Sequence, residues 1–204
     1  MMEKVLGNLK KGLVYVISAP AGTGKTTLAR MIIDEFSCVT ESISCTTRAM
    51  RNNEIADVDY HFMKKEEFTD KIKAGDFLEY AEVFGEYYGT LKSSVEKKLH
   101  EGMHVILVID TQGALNLKKQ NYPATFIFIK PPSLGELRSR LFLRQTEKEE
   151  HIKERLEWAE HEIEMAKNYD YIITNDNLHR AYDILRSVFI AVEHESNYSY
   201  KTEK

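Results

Sequence analysis

The chain has 204 residues, which is enough for one domain with insertions but too short for two average domains. With 43% hydrophobic and 29% charged residues, its composition is that of a folded globular protein and excludes a largely disordered chain. The net charge of −4 argues against a broad basic face, so we expect no nucleic-acid partner.

The charge is unevenly distributed along the chain. Residues 147–164 contain eight glutamates and three basic residues, a net charge of −5, whereas the remainder carries +1.

The first twelve residues lack an apolar leader segment, and the longest apolar runs are too short to span a bilayer. Two cysteines cannot make a disulfide framework. We therefore expect a cytoplasmic protein without a membrane partner.

Apolar runs that alternate with helical patterns predict an α/β fold with a mainly parallel sheet. The predicted strands are dense in apolar residues without alternation, as in strands buried on both faces: Leu13–Ser18, His104–Asp110, Ala124–Ile129 and Asp170–Thr174. The predicted helices of this layout are Thr26–Phe36, Ser94–Glu101, Ser133–Leu143 and Leu178–Val192. Residues 42–93 differ, with short mixed patches and one helix near Glu66–Lys73, and are interpreted as an insertion.

The first strand is followed directly by a phosphate-binding loop, Ala19-Pro20-Ala21-Gly22-Thr23-Gly24-Lys25-Thr26. It matches the Walker A pattern in its strand–loop–helix setting, except that Ala19 replaces the first glycine. Backbone amides and the helix N-terminus can hold phosphate oxygens, and Lys25 adds a mobile positive charge. Thr26 can bind Mg²⁺ through its hydroxyl. These residues, together with Thr27, are the predicted contacts of the nucleotide phosphates.

A phosphate-binding loop alone does not distinguish GTPases, ATPases and kinases. The base-reading motif Asn-Lys-x-Asp of GTPases does not occur in the sequence. The insertion is more informative, because Arg48 and Arg51 follow a run of hydroxyl side chains that begins at Ser44. Two arginines at this spacing supply forked donors for one phosphate monoester.

Three further motifs follow in order: Asp-Tyr-His-Phe at 59–62, Phe-Leu-Glu-Tyr at 77–80 and Tyr-Tyr-Gly-Thr at 87–90. With the arginine segment, they make the chain resemble the guanylate kinase family from about residue 12 to about residue 190. The resemblance implies a P-loop NTPase fold, with a central parallel sheet flanked by helices, a GMP-binding insertion and a helical lid.

The resemblance also implies one domain over residues 1–204. Its core would comprise about 1–41, 94–134 and 167–204, its GMP-binding insertion about 42–93 and its lid about 135–166. The implied GMP contacts are Ser44, Arg48, Arg51, Tyr60, Glu79, Tyr88, Thr90 and Asp110.

Among these residues, Glu79 would accept hydrogen bonds from the N1–H and 2-amino groups of guanine. A carboxylate only accepts hydrogen bonds and guanine offers two adjacent donors, so the pairing is chemically sound without the resemblance. Adenine lacks the N1–H and would leave Glu79 unpaired. Such a site can reject the wrong base by roughly 10⁴-fold.

The segment before the acidic stretch is similar to the lid of the family, in which arginines cover the ATP phosphates. The implied catalytic residues are Arg140, Arg144 and Arg155, together with Lys25 and Arg48. The spacing of Ile152, Leu156, Ala159, Ile163 and Ala166 predicts one apolar stripe of a long helix, so most of its glutamates should face solvent. Asn175 resembles a contact near the adenine or its ribose.

Two positions besides Ala19 depart from the family pattern. Gln145 replaces a glycine that usually follows the lid arginine, and Val108 replaces an acidic residue two positions before Asp110. Metal binding would then depend on Thr26, Asp110 and the phosphates themselves.

The string His100-Glu101-Gly102-Met103-His104 matches a zinc-protease motif, but Gly102 is interpreted as the end of a helix, which would separate the two histidines.

The sequence predicts an ATP-dependent kinase for GMP, and for dGMP as well, that acts as a monomer or homodimer. Two alternatives remain. A catalytically inactive guanylate-kinase-like protein-binding module would show a degraded P-loop or missing lid arginines, which this sequence does not. A nucleoside monophosphate kinase of other base preference would tolerate Glu79→Gln without loss.

Overall fold

The computed structural model describes residues 4–52, 54–143 and 149–195, without the side chains of residues 143 and 149–153. The strands are β1 (Val14–Ser18), β2 (Val39–Glu41), β3 (Cys45–Thr46), β4 (His61–Phe62), β5 (Phe77–Val83), β6 (Glu86–Leu91), β7 (His104–Val108), β8 (Thr125–Lys130) and β9 (Tyr171–Thr174). The α-helices are α1 (Lys25–Glu35), α2 (Lys65–Ala74), α3 (Lys92–His100), α4 (Thr111–Lys119), α5 (Leu134–Leu143), α6 (Glu149–Met165) and α7 (Leu178–Glu193).

The larger sheet has five parallel strands in the order β2-β7-β1-β8-β9. Four of them are the strands predicted from the sequence, with ends that differ by at most two residues, so the predicted α/β class is confirmed. The fifth, β2, has only three residues, too few for a periodic signal.

Both faces of this sheet are covered, which explains the continuous apolar runs. In β1 the side chains alternate between two apolar clusters: Tyr15 and Ile17 pack toward α1 and α7, whereas Val14 and Val16 pack toward α3 and α4. All five residues of β1 are buried. A parallel strand enclosed in this way is apolar at most positions, and its one polar residue, Ser18, donates from its hydroxyl to the backbone carbonyl of Asp110.

The second sheet has four short strands in the order β4-β3-β6-β5, all within the region interpreted as an insertion. β5 and β6 form an antiparallel hairpin, and a small apolar cluster that includes Phe68 and Phe77 lies beneath it. The boundaries of core, insertion and lid stay predictions.

Helix α4 was not predicted from the sequence. Its N-cap is Asp110, whose Oδ1 accepts a hydrogen bond from the Gly113 backbone N–H at 2.8 Å. Gly113 in the first turn lowers the helix propensity and obscures the pattern.

The two histidines of the zinc-protease string lie on different elements, as interpreted from the sequence. α3 ends at His100, whereas His104 begins β7 and is fully buried, with Nε2 2.6 Å from Oε2 of Glu193. In the described part of the chain, no group of three His, Cys, Asp or Glu side chains is arranged to hold a metal ion. Nor does any helix in that part have the length and apolar character needed to cross a bilayer.

Candidate active site

The phosphate-binding loop joins the carboxyl end of β1 to the N-terminus of α1. Gly22 and Gly24 have φ values of 87° and 92°, in the left-handed region that glycine adopts at little cost. Gly24 is the N-cap of α1, which begins at Lys25. Ala19, at the position of the missing glycine, has its methyl group in the buried core. The departure is therefore accommodated by packing.

Asn175 supports this loop from below. Its side chain is buried, and Nδ2 donates to the backbone carbonyl of Thr23 at 2.7 Å. A Cβ atom on Gly24 would lie only 2.7 Å from the same Nδ2. The backbone carbonyl of Asn175 in turn accepts from Nη2 of Arg140 at 3.2 Å. These contacts link two residues predicted as nucleotide contacts, Asn175 and Arg140, to the shape of the loop.

Lys25 lies in a cluster of carboxylates at the centre of the site. Burial lowers its pKa, and the negative charges of Glu162, Asp110 and Glu41 act in the opposite direction. Burial raises the pKa of Asp110, whereas its hydrogen bond to Gly113 and the charge of Lys25 lower it. The ammonium group of Lys25 thus interacts electrostatically with three carboxylates.

Glu162 is a member of this cluster that the sequence did not single out. It lies on α6 within the acidic stretch, but only 5% of it is exposed, and burial raises its pKa to about 7. Other glutamates of α6, such as Glu157 and Glu160, are exposed to solvent as predicted. Glu162 follows Ala159 by three residues and precedes Ala166 by four, so the spacing of the apolar stripe contained the signal.

A cavity of about 220 Å³ opens beside Lys25 and is here called the inner cavity. It lies between the edge of the parallel sheet and the second sheet. Its walls bring together residues from six segments of the chain. The predicted site residues that line it are Lys25, Ser44, Tyr60, Glu79, Tyr88 and Asp110.

Glu79 lies at the bottom of this region on β5. It is 5% exposed, and Oε1 accepts a hydrogen bond from the hydroxyl of Thr90 at 2.7 Å. Burial raises the pKa of Glu79 to about 7; the hydrogen bond from Thr90 opposes the shift, and the charge of Asp110 adds to it. A Cβ atom on Gly113 would lie 2.2 Å from Oε2, so only glycine lets α4 approach this carboxyl group so closely. Sequence reasoning did not identify Gly113.

Arg48 is held in place by a carboxylate that the sequence also did not identify. Nη2 of Arg48 donates to Oε1 of Glu54 at 2.7 Å, and the backbone N–H of Arg51 donates to Oε2 at 2.8 Å. The guanidinium group also lies 5.5 Å from the ring centre of Tyr60 and 5.9 Å from that of Phe62. Both side chains of the ion pair are largely buried, at 17% and 14% exposure. Arg48 is thus oriented before any ligand is present.

A second cavity of about 580 Å³ adjoins the inner one and is here called the arginine cavity. Arg48 and Arg51 line it from the segment between β3 and β4, Tyr88 lines it from β6 and Arg155 from α6. Glu86 and Glu154 belong to the same wall. Three arginines and a phenol around one space are suited to a dianionic phosphate. Arg144 and Gln145 lie outside the described residues.

Thr26 and Thr27 are exposed at the start of α1. Thr26 opens onto a cavity of about 240 Å³ whose other walls include Glu41, Ser44 and Asp59. Val108 lines this cavity as well as the inner cavity. The oxygen atoms around Thr26 are of the kind that Mg²⁺ prefers.

Comparisons with known proteins agree with this geometry. The family model described as "Guanylate kinase" matches residues 11–192. The guanylate kinase of Protochlamydia amoebophila is 55% identical over 188 residues, which is 92% of this chain and 95% of that protein. The guanylate kinase of Chlamydia trachomatis serovar D is 48% identical over 186 residues, 91% of this chain and 90% of that protein.

A solved structure is similar as well. The crystal structure of guanylate kinase from Anaplasma phagocytophilum matches with a TM-score of 0.77 and 31% identity. The match covers 96% of this chain and 92% of that one. The similarity therefore includes both sheets.

Proposed function

Since the chain belongs to the guanylate kinase family and transfers a phosphoryl group from ATP to GMP, we propose that each cavity has a defined occupant. The guanine of GMP would lie in the inner cavity and its phosphate in the arginine cavity. The phosphates of ATP would lie on the loop of residues 19–26, between Lys25 and the arginines of α5 and α6.

Recognition of guanine would depend on Glu79, and the buried position of this carboxyl group is the observation that carries the proposal. Oε1 already accepts from Thr90, and the group retains acceptor capacity for guanine donors because a carboxylate can accept several hydrogen bonds. Ser44 lies in the same cavity wall and can complete the base edge. Adenine offers no N1–H, and a buried acceptor left without a partner is costly.

The transfer itself requires positioning and charge neutralisation. A phosphate oxygen of GMP forms the new bond to the γ-phosphorus while the bond to the β–γ bridging oxygen breaks, which yields GDP and ADP. The nucleophile is already an anionic oxygen, so no strong base is needed. Lys25, Arg48, Arg140 and Arg155 would balance the charge that spreads over the transferred group. The same role stays a prediction for Arg144.

The residues present also fit Mg²⁺, through the hydroxyl of Thr26 and the surrounding oxygen donors. When bound with ATP, Mg²⁺ would neutralise charge on the β- and γ-phosphates. Thr26 would hold it at the loop, and the remaining ligands would be phosphate oxygens and water.

None of the contacts assigned above involves the 2′-hydroxyl of the ribose, so we expect dGMP to be a substrate too.

The protein-binding alternative finds no support, because relatives named guanylate kinase match over nine-tenths of the chain.

Both cysteines are free thiols, as in proteins of a reducing compartment, and we propose a cytoplasmic location. A monomer or homodimer, without a nucleic-acid or membrane partner, stays the prediction.

A coupled assay of ADP formation with GMP, dGMP, AMP, UMP or CMP tests the base assignment. We expect GMP to be preferred over AMP in kcat/KM by roughly 10⁴-fold, and Glu79→Gln to lose most of that preference. The exposed Glu82→Gln on the same strand is the matched control. Faster turnover of AMP than of GMP, or full activity of Glu79→Gln, would contradict the proposal.

A further inference from the structure

An aromatic contact joins the second sheet to α6 at the rim of the arginine cavity. Phe84 lies in the tight turn between β5 and β6, and Trp158 lies on α6. Their ring centroids are 6.2 Å apart at an angle of 58°, which is within the range of attractive aromatic pairs. Trp158 is the single tryptophan of the chain.

Phe84 is an unusual residue for its position. Its φ value is +52°, in a region that a bulky side chain rarely adopts, and Gly85 beside it has φ +82°. Asn, Asp or Gly would satisfy such a turn better. Phe84 is also 63% exposed, so it contributes little to the core. Its ring makes the described contact to α6 instead.

The contact lies beside Arg155. Arg155 precedes Trp158 by three residues, so the two side chains lie on the same face of α6, one turn apart. Phe84 and Arg155 line the arginine cavity together with Arg48 and Arg51. A shift of α6 away from the turn would therefore move Arg155 away from the two other arginines.

We propose that Phe84 and Trp158 are positioning residues whose ring contact holds α6 against the β5–β6 turn and so keeps Arg155 at the arginine cavity. The consequence for catalysis depends on the proposed function, in which Arg155 neutralises charge on the transferred group. Among the described residues that line the inner cavity, neither Phe84 nor Trp158 occurs. The contact should thus affect kcat and, through the phosphate of GMP, its KM, but not the preference for guanine over adenine.

Steady-state kinetics of Phe84→Ala, Trp158→Ala and the double variant test this role. A ring pair of this kind shifts an equilibrium by about 2- to 12-fold, so we expect kcat to fall about fivefold in each single variant. The double variant should lose no more than either single variant, because both remove the same contact. The preference for GMP over AMP in kcat/KM should stay within about twofold of the wild type, because the guanine contacts are not altered.

Two further variants distinguish a positioning role from a nonspecific loss of activity on removal of a large side chain. Trp158→Phe retains a ring and should recover most of the kcat. Ile172→Ala removes a large apolar side chain of similar exposure, 51%, on β9 and should leave kcat unchanged. Additive losses in the double variant, or a kcat of Phe84→Ala equal to that of the wild type, would overturn the inference.

The fluorescence of Trp158 gives a readout independent of activity. Removal of the Phe84 ring should expose the indole to water and shift its emission to longer wavelength. Unchanged emission in a folded Phe84→Ala variant would mean that the contact is absent in solution, which overturns the inference.

Arg155→Ala distinguishes this inference from the proposed function. A low kcat in Arg155→Ala together with normal kcat in Phe84→Ala would overturn the positioning role alone. A normal kcat in Arg155→Ala would remove this arginine from the proposed function, and the positioning role with it.

Discussion

The two sides of the active site are built in different ways. On the proposed ATP side, the surface for the phosphates is mainly one continuous segment, residues 19–26, with backbone amides, two glycines and a helix N-terminus. The proposed GMP side collects separate side chains, among them Glu79 on β5, Tyr88 on β6 and Arg48 in the segment after β3. A site made of backbone depends mainly on the local sequence, even though Asn175 supports this loop from a distant segment. A site made of distant side chains depends more strongly on neighbours that orient them. Substitutions of those neighbours should therefore raise the KM for GMP more than the KM for ATP.

The largest effect is expected from Gly113→Ala, because the added Cβ would lie 2.2 Å from Oε2 of Glu79. The carboxyl group must move, and a displacement of about 1 Å at a binding group can cost about 10²-fold. We expect the KM for GMP to rise by about that factor while the KM for ATP changes little, as measured by steady-state kinetics.

Gly135→Ala on α5 is the control for this substitution, since its Cβ would meet Ser133 Oγ at an ordinary 3.8 Å. Equal increases in both KM values in Gly113→Ala would show that the two sides are not separable in this way.

A second difference between the two sides should appear in the pH dependence. The pKa of Glu79 is raised to about 7 because the carboxyl group is buried, and only the ionised form can accept both guanine donors. The KM for GMP should therefore rise by about tenfold for each pH unit below 7. A pH series of KM for GMP and for ATP measures this.

Glu79→Gln should lack the step near pH 7, while the titration of the GMP phosphate itself remains. Glu162→Gln should retain the step, which separates Glu79 from the other carboxyl group with a pKa of about 7. A flat profile in the wild type would contradict the expectation.

A smaller effect is expected at Glu54, which orients Arg48 but faces the guanidinium group rather than a ligand. Glu54→Gln keeps one acceptor and loses the ion pair of 2.7 Å. We expect the KM for GMP to rise about 3- to 10-fold, with little change in the KM for ATP. Glu66→Gln, exposed on α2, is the control. A fall in the KM for GMP would instead mean that Glu54 competes with the phosphate for Arg48.

The smallest effect on turnover is expected at Glu162, where stability changes instead. Its folded-state pKa of about 7 lies above the usual 4.5, so its protonated form stabilises the fold at low pH, and this stability is lost as the pH rises toward 7. Glu162→Gln should therefore be more stable than the wild type at pH 8, by about 3 kcal/mol at most.

Thermal unfolding at pH 8 and pH 5 measures this difference, which should shrink as the pH is lowered. Glu160→Gln, exposed on the same helix, should change neither value. A destabilised Glu162→Gln at pH 8 would show that the charge of Lys25 outweighs the cost of burial.

Several parts of the site could not be predicted from the sequence because their partners are distant along the chain. Asn175 and Thr23 are joined by a hydrogen bond across 152 residues, and no spacing rule connects them. Nothing in the sequence distinguishes Gly113 from other glycines, because its role depends on the close approach of α4 to Glu79. Glu162 could have been found from the helical spacing, but its partners Lys25 and Asp110 could not.

The sequence by itself determined four of the five strands of the central sheet, the phosphate-binding loop and the family, because each is encoded in short segments of characteristic residues. It also indicated that residues 147–164 form an acidic helix. Only the tertiary structure decided which of those glutamates is buried, which carboxylate orients Arg48 and how α6 meets the β5–β6 turn. Burial and charge interactions depend on through-space distances, and a linear pattern does not contain them.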